Sequence, residues 1–270
     1  MPLTPTWPRL HYEVYGTSGP PVLFVMGLGM SAAAWRPQVE ALAHDHRCLV
    51  FDNRGIGRSG TAPGLWTIPD LADDALRVLE VVGWPQAHLV GVSMGAMVSR
   101  QLAAAQPQRW HSLTLIAAHA GPRRLILPTP RALQLFARAQ AGEPAARVAA
   151  LNALLFPPDW LATTDTAQLN RRMESRVGTP PGPATLGRQL GAVLRYGGTS
   201  NLDQIRAPAL IVKPAADILV PPANSDLLAA GIRRAELVEF RDAGHGITLQ
   251  CADRLNRALR GHIREHGTPM

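Results

Sequence analysis

Ala87-His88-Leu89-Val90-Gly91-Val92-Ser93-Met94-Gly95, running into Ala96 to Gln106, is the stretch that decides how this chain folds. An apolar run delivers Ser93 to a sharp turn, and a helix-forming stretch begins directly behind it. A serine carried on such a turn needs tiny residues two positions before and two after, because a Cβ there would collide with a neighbouring strand or helix. Gly91 and Gly95 meet that demand. The helix N-terminus behind the turn offers unpaired N–H groups and the positive end of its dipole to any negative charge forming nearby. Alone, the pentapeptide reads as a chance Gly/Ser turn. The strand before it and the helix after it give it chemical meaning.

On these residues the chain resembles the α/β-hydrolase family, from about Arg9 to the C-terminal end, with the middle matching in general character only. The resemblance implies a mostly parallel central sheet flanked by helices, and a triad in the chain order Ser, then Asp or Glu, then His. A serine hydroxyl is a poor nucleophile without a base and an acid that orients the base. Asp217 follows the apolar run Ala209-Leu210-Ile211-Val212 and precedes Leu219-Val220-Pro221-Pro222. His245, within Gly244-His245-Gly246, follows a second strand-like run, Ala235 to Phe240. Taken singly, an Asp before Pro-Pro is a turn or cap residue, and a His between glycines is a solvated loop residue. Three such residues in the family's order, each just after an apolar run, imply Ser93 as nucleophile, His245 as base and Asp217 as acid. Asp242 is the rival acid, but it is local to His245 and belongs to the turn leading into it. The strand after the serine helix, Leu113 to Ala118, runs into His119-Ala120-Gly121-Pro122 and offers no carboxylate.

Met26-Gly27-Leu28-Gly29, after the apolar run Val22 to Val25, resembles the family's His-Gly-x-Gly loop. It implies that the backbone N–H groups of Leu28 and Met94 form an oxyanion hole. Met26 stands where many members carry histidine, which bears on the pocket floor and leaves the backbone donors in place. Phe51-Asp52-Asn53-Arg54-Gly55-Ile56-Gly57-Arg58-Ser59 resembles the family's loop after the next strand, and its expected role is to tie loops together. It contains no G-x-x-x-x-G-K-[ST], so it is no phosphate cradle.

Composition agrees. A chain of 270 residues fits one α/β domain and buries roughly 75% of its unfolded surface, so it needs no disulfide staple. Cys48 and Cys251 lie in an expected strand and an expected helix, with no metal-type spacing, and are read as core or near-core residues. The N-terminal residues lack a basic segment followed by an apolar one, and no apolar stretch approaches the roughly 20 residues of a membrane span. The expected compartment is the cytoplasm. Lys and Arg number 27 against 20 Asp and Glu, but Lys213 is the only lysine and the arginines are scattered, without interleaved aromatics. That is no nucleic-acid footprint. His44-Asp45-His46 looks like a metal pair, yet falls at a helix-to-strand turn and is read as a solvated loop. Neither a cofactor nor a metal is expected.

Elsewhere strands and helices alternate, as a parallel sheet requires. Arg9 to Tyr15 reads as an outer strand, Pro21 to Val25 as a central one, Trp35 to Ala43 as a helix and Arg47 to Phe51 as a strand. Thr67 to Val82 is an amphipathic helix ended by Gly83 and Pro85. From about Gly121 to Thr199 the alternation gives way to helical stretches punctuated by prolines, and it resumes at Ala209. Residues 1–120 and 200–270 are therefore expected to form the core, with 121–199 a helical cap over the site. Leu125, Ile126, Leu133, Leu135, Phe136, Leu154, Leu155, Phe156 and Trp160 supply its apolar surface, most to pack the cap and some to line a pocket. Arg123 and Arg124 could hold a substrate carboxylate, though such a pair more often faces solvent.

The expected activity is cofactor-free cleavage of a carboxylic ester of a small to medium, partly apolar substrate through an acyl-enzyme. The same triad would serve a lactonase, a thioesterase, a C–C hydrolase or a cofactor-free perhydrolase. Haloalkane dehalogenases and the epoxide hydrolases of this fold carry an aspartate where Ser93 stands. A ligand-binding receptor without turnover is the alternative from a different class. The expected partner is a small-molecule ester, with no nucleic acid and no stable membrane association; the oligomeric state is left open.

Overall fold

Apolar strands that cannot bury both faces alone must be covered by helices on each side, and the computed structural model shows that arrangement. It describes residues 2–121, 125–177, 181–197 and 202–267. The strands are β1 (Tyr12–Tyr15), β2 (Pro21–Val25), β3 (Arg47–Phe51), β4 (Ala87–Val92), β5 (Trp110–Ile116), β6 (Ala209–Pro214) and β7 (Ala235–Phe240). They form one sheet in the order β1-β3-β2-β4-β5-β6-β7. Only β1 is antiparallel, with Tyr12 opposite Phe51. The register sets Val25 beside Gly91 and Val92 beside Ile116, so the loops after β2, β4 and β5 leave the sheet side by side.

Before β5 lie α1 (Arg36–Leu42), α2 (Ile68–Val81) and α3 (Met94–Ala105). Between β5 and β6 the described residues form only helices: α4 (Pro130–Gln140), α5 (Pro144–Leu155), α6 (Pro158–Ala162), α7 (Thr166–Val177) and α8 (Pro183–Arg195). The C-terminal part then adds α9 (Ala223–Gly231), α10 (Ile247–Gln250) and α11 (Ala252–Glu265). Successive strand residues point to opposite faces. Leu23, Val25, Leu89 and Leu115 therefore join α2 and α3 in one core. Val22, Phe24, Val90 and Ile116 join α1 and α11 in the other. All six residues of β4 are buried, as a central strand covered on both faces must be.

Local chemistry explains the element limits. Thr67 caps α2 in a reciprocal capping box with Asp70, and Pro69 sits in the first turn; a cap of this kind contributes about 1 kcal/mol. The prolines that punctuate the middle of the sequence mark helix starts: Pro130, Pro144, Pro158 and Pro183 each open a helix. Proline is pre-set for that position and has no N–H to leave unpaired. Three readings need correction. Strand β5 begins at Trp110 rather than Leu113, because His111 and Ser112 break the apolar pattern while the Ser112 hydroxyl is bonded to His88 Nδ1 at 2.8 Å. Cys251 lies at the junction of α10 and α11 instead of within a helix, although it is buried. His46 is buried, with Nδ1 2.8 Å from Asp45 Oδ1, and is no solvated loop residue. Among the described residues no helix is long and apolar enough to cross a membrane.

Candidate active site

At the end of β4 the chain turns through Ser93, whose φ of 55° and ψ of −122° lie where L-residues are rarely found. Its N–H donates to the Ile116 carbonyl at 2.9 Å, which anchors the turn to β5. The two flanking glycines are fixed by close backbone approach. A Cβ on Gly95 would lie 2.1 Å from the Val25 carbonyl oxygen, and one on Gly91 would lie 2.4 Å from the Gly95 carbonyl oxygen and from Ser99 Oγ. Helix α3 starts at the next residue, Met94, so its first N–H groups open onto the serine.

The loop after β2 packs on the same turn: a Cβ on Gly27 would lie 3.3 Å from Ser93 Cβ. Side chains from elsewhere hold this loop at three points. Asn53 Nδ2 donates to the Met26 carbonyl at 3.0 Å. The Gly29 N–H donates to Gln189 Oε1 on α8 at 2.9 Å. The Ala32 N–H donates to Asp52 Oδ1 at 2.8 Å. Asp52 also receives the Arg58 N–H at 3.0 Å, and its carbonyl accepts from Ser59 Oγ at 2.6 Å. The loop after β3 thus ties its neighbours together. The N–H groups of Leu28 and Met94 have no hydrogen-bond partner among the described residues.

Asp217 and His245 meet at the end of β6 and β7. His245 Nδ1 lies 2.6 Å from Asp217 Oδ2, and both residues are buried. The other carboxylate oxygen, Oδ1, accepts the N–H groups of Leu219 (2.8 Å) and Val220 (2.9 Å), which fixes the carboxylate plane. The glycines beside His245 have a packing role. A Cβ on Gly244 would lie 2.6 Å from the Leu155 carbonyl oxygen, and one on Gly246 would lie 2.4 Å from the Phe156 ring. The Gly246 N–H donates to the Leu155 carbonyl at 2.8 Å, so the histidine loop is seated on the end of α5.

Ser93, Leu28 and His245 all line one cavity of about 340 Å³, within the usual size range for small-molecule sites. Its walls are mostly apolar, with Met26, Met30, Phe136, Leu151, Leu154 and Phe156 prominent. Leu155 also lines it, while Trp160 lies behind, its ring 4.7 Å from that of Phe156. Ile126 and Leu133 are exposed instead of packed, and Arg123 and Arg124 lie outside the described residues. Asp242 is elsewhere, exposed and bonded through both oxygens to Arg254 Nη1, at 2.7 and 2.8 Å, a contact that lowers its pKa. His119, beyond β5, is neutral: burial, helped by Arg100, lowers its pKa to about 4, and its Nδ1 accepts the Gly121 N–H. Among the described residues no cluster of three or more His, Cys, Asp or Glu could hold a metal. Gln189 and Arg147, the latter on the cavity wall, escaped the sequence reading, since no motif surrounds either.

Residues 20–250 match the family model described as alpha/beta hydrolase fold. The chain is 35% identical over 259 residues to RutD of Azorhizobium caulinodans, a protein named as a candidate carbamate hydrolase, covering 95% of each chain. The enol-lactonase from Burkholderia xenovorans superposes with a TM-score of 0.80 at 25% identity, over 95% of this chain and 96% of that one. A thermophilic esterase from Thermogutta terrifontis, solved with malate bound, gives a TM-score of 0.81 at 25% identity, over 98% and 97%.

Proposed function

Because this chain belongs to the α/β-hydrolase fold family, we propose that it is a serine hydrolase cleaving carboxylic esters with a partly apolar substituent. The observation that carries this reading is the buried Asp217–His245 pair at the edge of the cavity that Ser93 also lines. Ser93 Oγ attacks the acyl carbon while His245 Nε2 takes its proton. Asp217, bonded to Nδ1, keeps the proton there and stabilises the imidazolium that forms. The Leu28 and Met94 N–H groups receive the oxyanion, a role suited to donors with no internal partner. The C–O bond then breaks, the alcohol leaves with the proton from His245, and an acyl-Ser93 remains. Water, deprotonated by His245, adds to the acyl carbon and releases the acid and free Ser93.

The cavity supports an ester over a simple carbamate. Each methylene moved from water onto aliphatic walls contributes about 0.8 kcal/mol, so these walls reward an acyl or alkyl chain. A second reading, a carbamate ester, rests on the Azorhizobium relative's name, and the same triad would carry it. Residues 121–199 serve as a cap that shapes the pocket in both cases. The two free, buried cysteines fit a reducing compartment such as the cytoplasm.

Three measurements test the proposal: p-nitrophenyl esters of rising acyl length, matched p-nitrophenyl carbamates, and intact mass after a fluorophosphonate. Expected are a single adduct on Ser93, absent from Ser93→Ala, and ester rates that climb with chain length until the cavity is full. Absence of the adduct in folded wild-type protein would favour a receptor without turnover. Faster turnover of carbamates than of matched esters would overturn the ester assignment.

A further inference from the structure

Resting on that reading, we propose that the natural substrate carries a carboxylate remote from its scissile bond, and that Arg147 on α5 recognises it. Helix α5 presents Arg147, Val148, Leu151, Leu154 and Leu155 to the cavity, a spacing of three, four and seven that defines one helical face. The C-terminal end of that face is fixed beside the catalytic histidine by the bond from Gly246 N–H to the Leu155 carbonyl. Arg147 lies eight residues earlier on α5, roughly 12 Å along the axis at 1.5 Å per residue. Arg147 therefore lines the mostly apolar cavity on the part of α5 away from His245.

The surroundings of the Arg147 guanidinium suit an anionic ligand. Arg147 is half-buried. Its side chain makes one hydrogen bond among the described residues, a long one, Nε to the Ala139 carbonyl at 3.4 Å. None of the ion pairs among the described residues includes it, and no carboxylate lines the cavity among them. A bound carboxylate would give this cation a charged partner at the apolar wall. The planar fork of arginine takes a carboxylate through two parallel hydrogen bonds, which also fixes how far the ester sits from the anion.

Two substrate series test this. One puts the carboxylate on the acyl side, as monoesters of succinic to suberic acid; the other puts it on the alcohol side, as esters of ω-hydroxy acids. Each is compared with its methyl-ended, length-matched neutral ester. Wild type should favour the anionic member of at least one series at one spacer length, mainly through KM, and lose that preference as ionic strength rises. In Arg147→Met the anionic-to-neutral ratio of kcat/KM should fall about 10–100-fold, and Arg147→Lys should recover only part of it. Thermal melts establish that both variants are folded; if neither is, the wild-type preference and its salt dependence decide. A wild type indifferent to the charge in both series, or an unchanged ratio in Arg147→Met, would overturn the proposal. Failure of the Ser93 adduct would instead reject the hydrolase mechanism, and that is read separately.

Discussion

Replacing Ser93 with glycine should leave a more stable protein than replacing it with alanine, although both variants lack the hydroxyl. The φ of 55° with ψ of −122° lies outside the left-handed basin, in territory open to glycine and strained for residues with a Cβ. Such strain costs about 1–3 kcal/mol. Alanine keeps the Cβ and keeps the strain. Glycine removes it, at the cost of roughly 0.5–1 kcal/mol of additional freedom in the unfolded chain. Ser93 is only half-buried, so its side chain contributes little packing to lose. Glycine should therefore exceed alanine by about 1 kcal/mol net. For 270 residues, an unfolding entropy near 2.1 cal/mol/K per residue turns that into a Tm difference of about 2 °C. Scanning calorimetry of the two variants side by side, after checking that unfolding is reversible and two-state, measures the difference directly. If alanine melted at or above the glycine temperature, the turn would not be strained, and backbone tension at Ser93 would have to be abandoned.

Asp217→Asn should lower kcat on the order of 10⁴-fold by upsetting the histidine tautomer. Asp242→Asn should change it little, because an exposed ion pair with Arg254 contributes no more than about 1 kcal/mol of stability; a larger loss from Asp242→Asn would reassign the acid. Gly27→Ala should fold, yet lose roughly tenfold to a hundredfold in kcat, because the new Cβ would sit 3.3 Å from Ser93 Cβ and from the Val92 carbonyl. Unchanged kcat would show that the loop can yield. Acid should unfold the protein steeply. Burial depresses His88 to about 3, His119 to about 4 and His262 to about 4. Below the ordinary histidine pKa of about 6.5 the unfolded chain therefore takes up protons that the native state refuses, and each ring removes up to about 1.4 kcal/mol per pH unit until its folded pKa is reached. Their contribution is fully present above pH 6.5 and is lost between there and the folded values of about 4 and, for His88, about 3. A denaturation midpoint flat across that window would contradict it.

The strands were legible because their apolar runs are long relative to their turns. Arg47 to Phe51 and Ala235 to Phe240 are bounded in the structure as their sequence pattern predicts. Trp110 was hidden, since its neighbours His111 and Ser112 are polar and only the fold supplies His88 as a partner for the serine. The burial of His46 was hidden for the same reason: a loop position in sequence can lie against a core that is distant along the chain. At the candidate site, Ser93, Asp217 and His245 could be singled out as candidates because each follows an apolar strand and the order of the three is itself informative; the structure pairs Asp217 with His245. Gln189 could not, because its bond to Gly29 joins residues 160 positions apart and involves an ordinary helix glutamine. Arg147 was equally mute: one arginine among many carries no signal until the helix face is known.

The bonds from Gln189 to Gly29 and from the Leu155 carbonyl to Gly246 bear on how such a protein can be re-engineered. They join the helices between β5 and β6 to the loops after β2 and β7, one beside Leu28 and the other beside His245. Those helices cannot be exchanged as an independent module for a new substrate. A graft from a relative must bring an acceptor for the Gly29 N–H and a carbonyl for the Gly246 N–H. Without both, a chimaera would inherit the donor's pocket and still misplace Leu28 and His245.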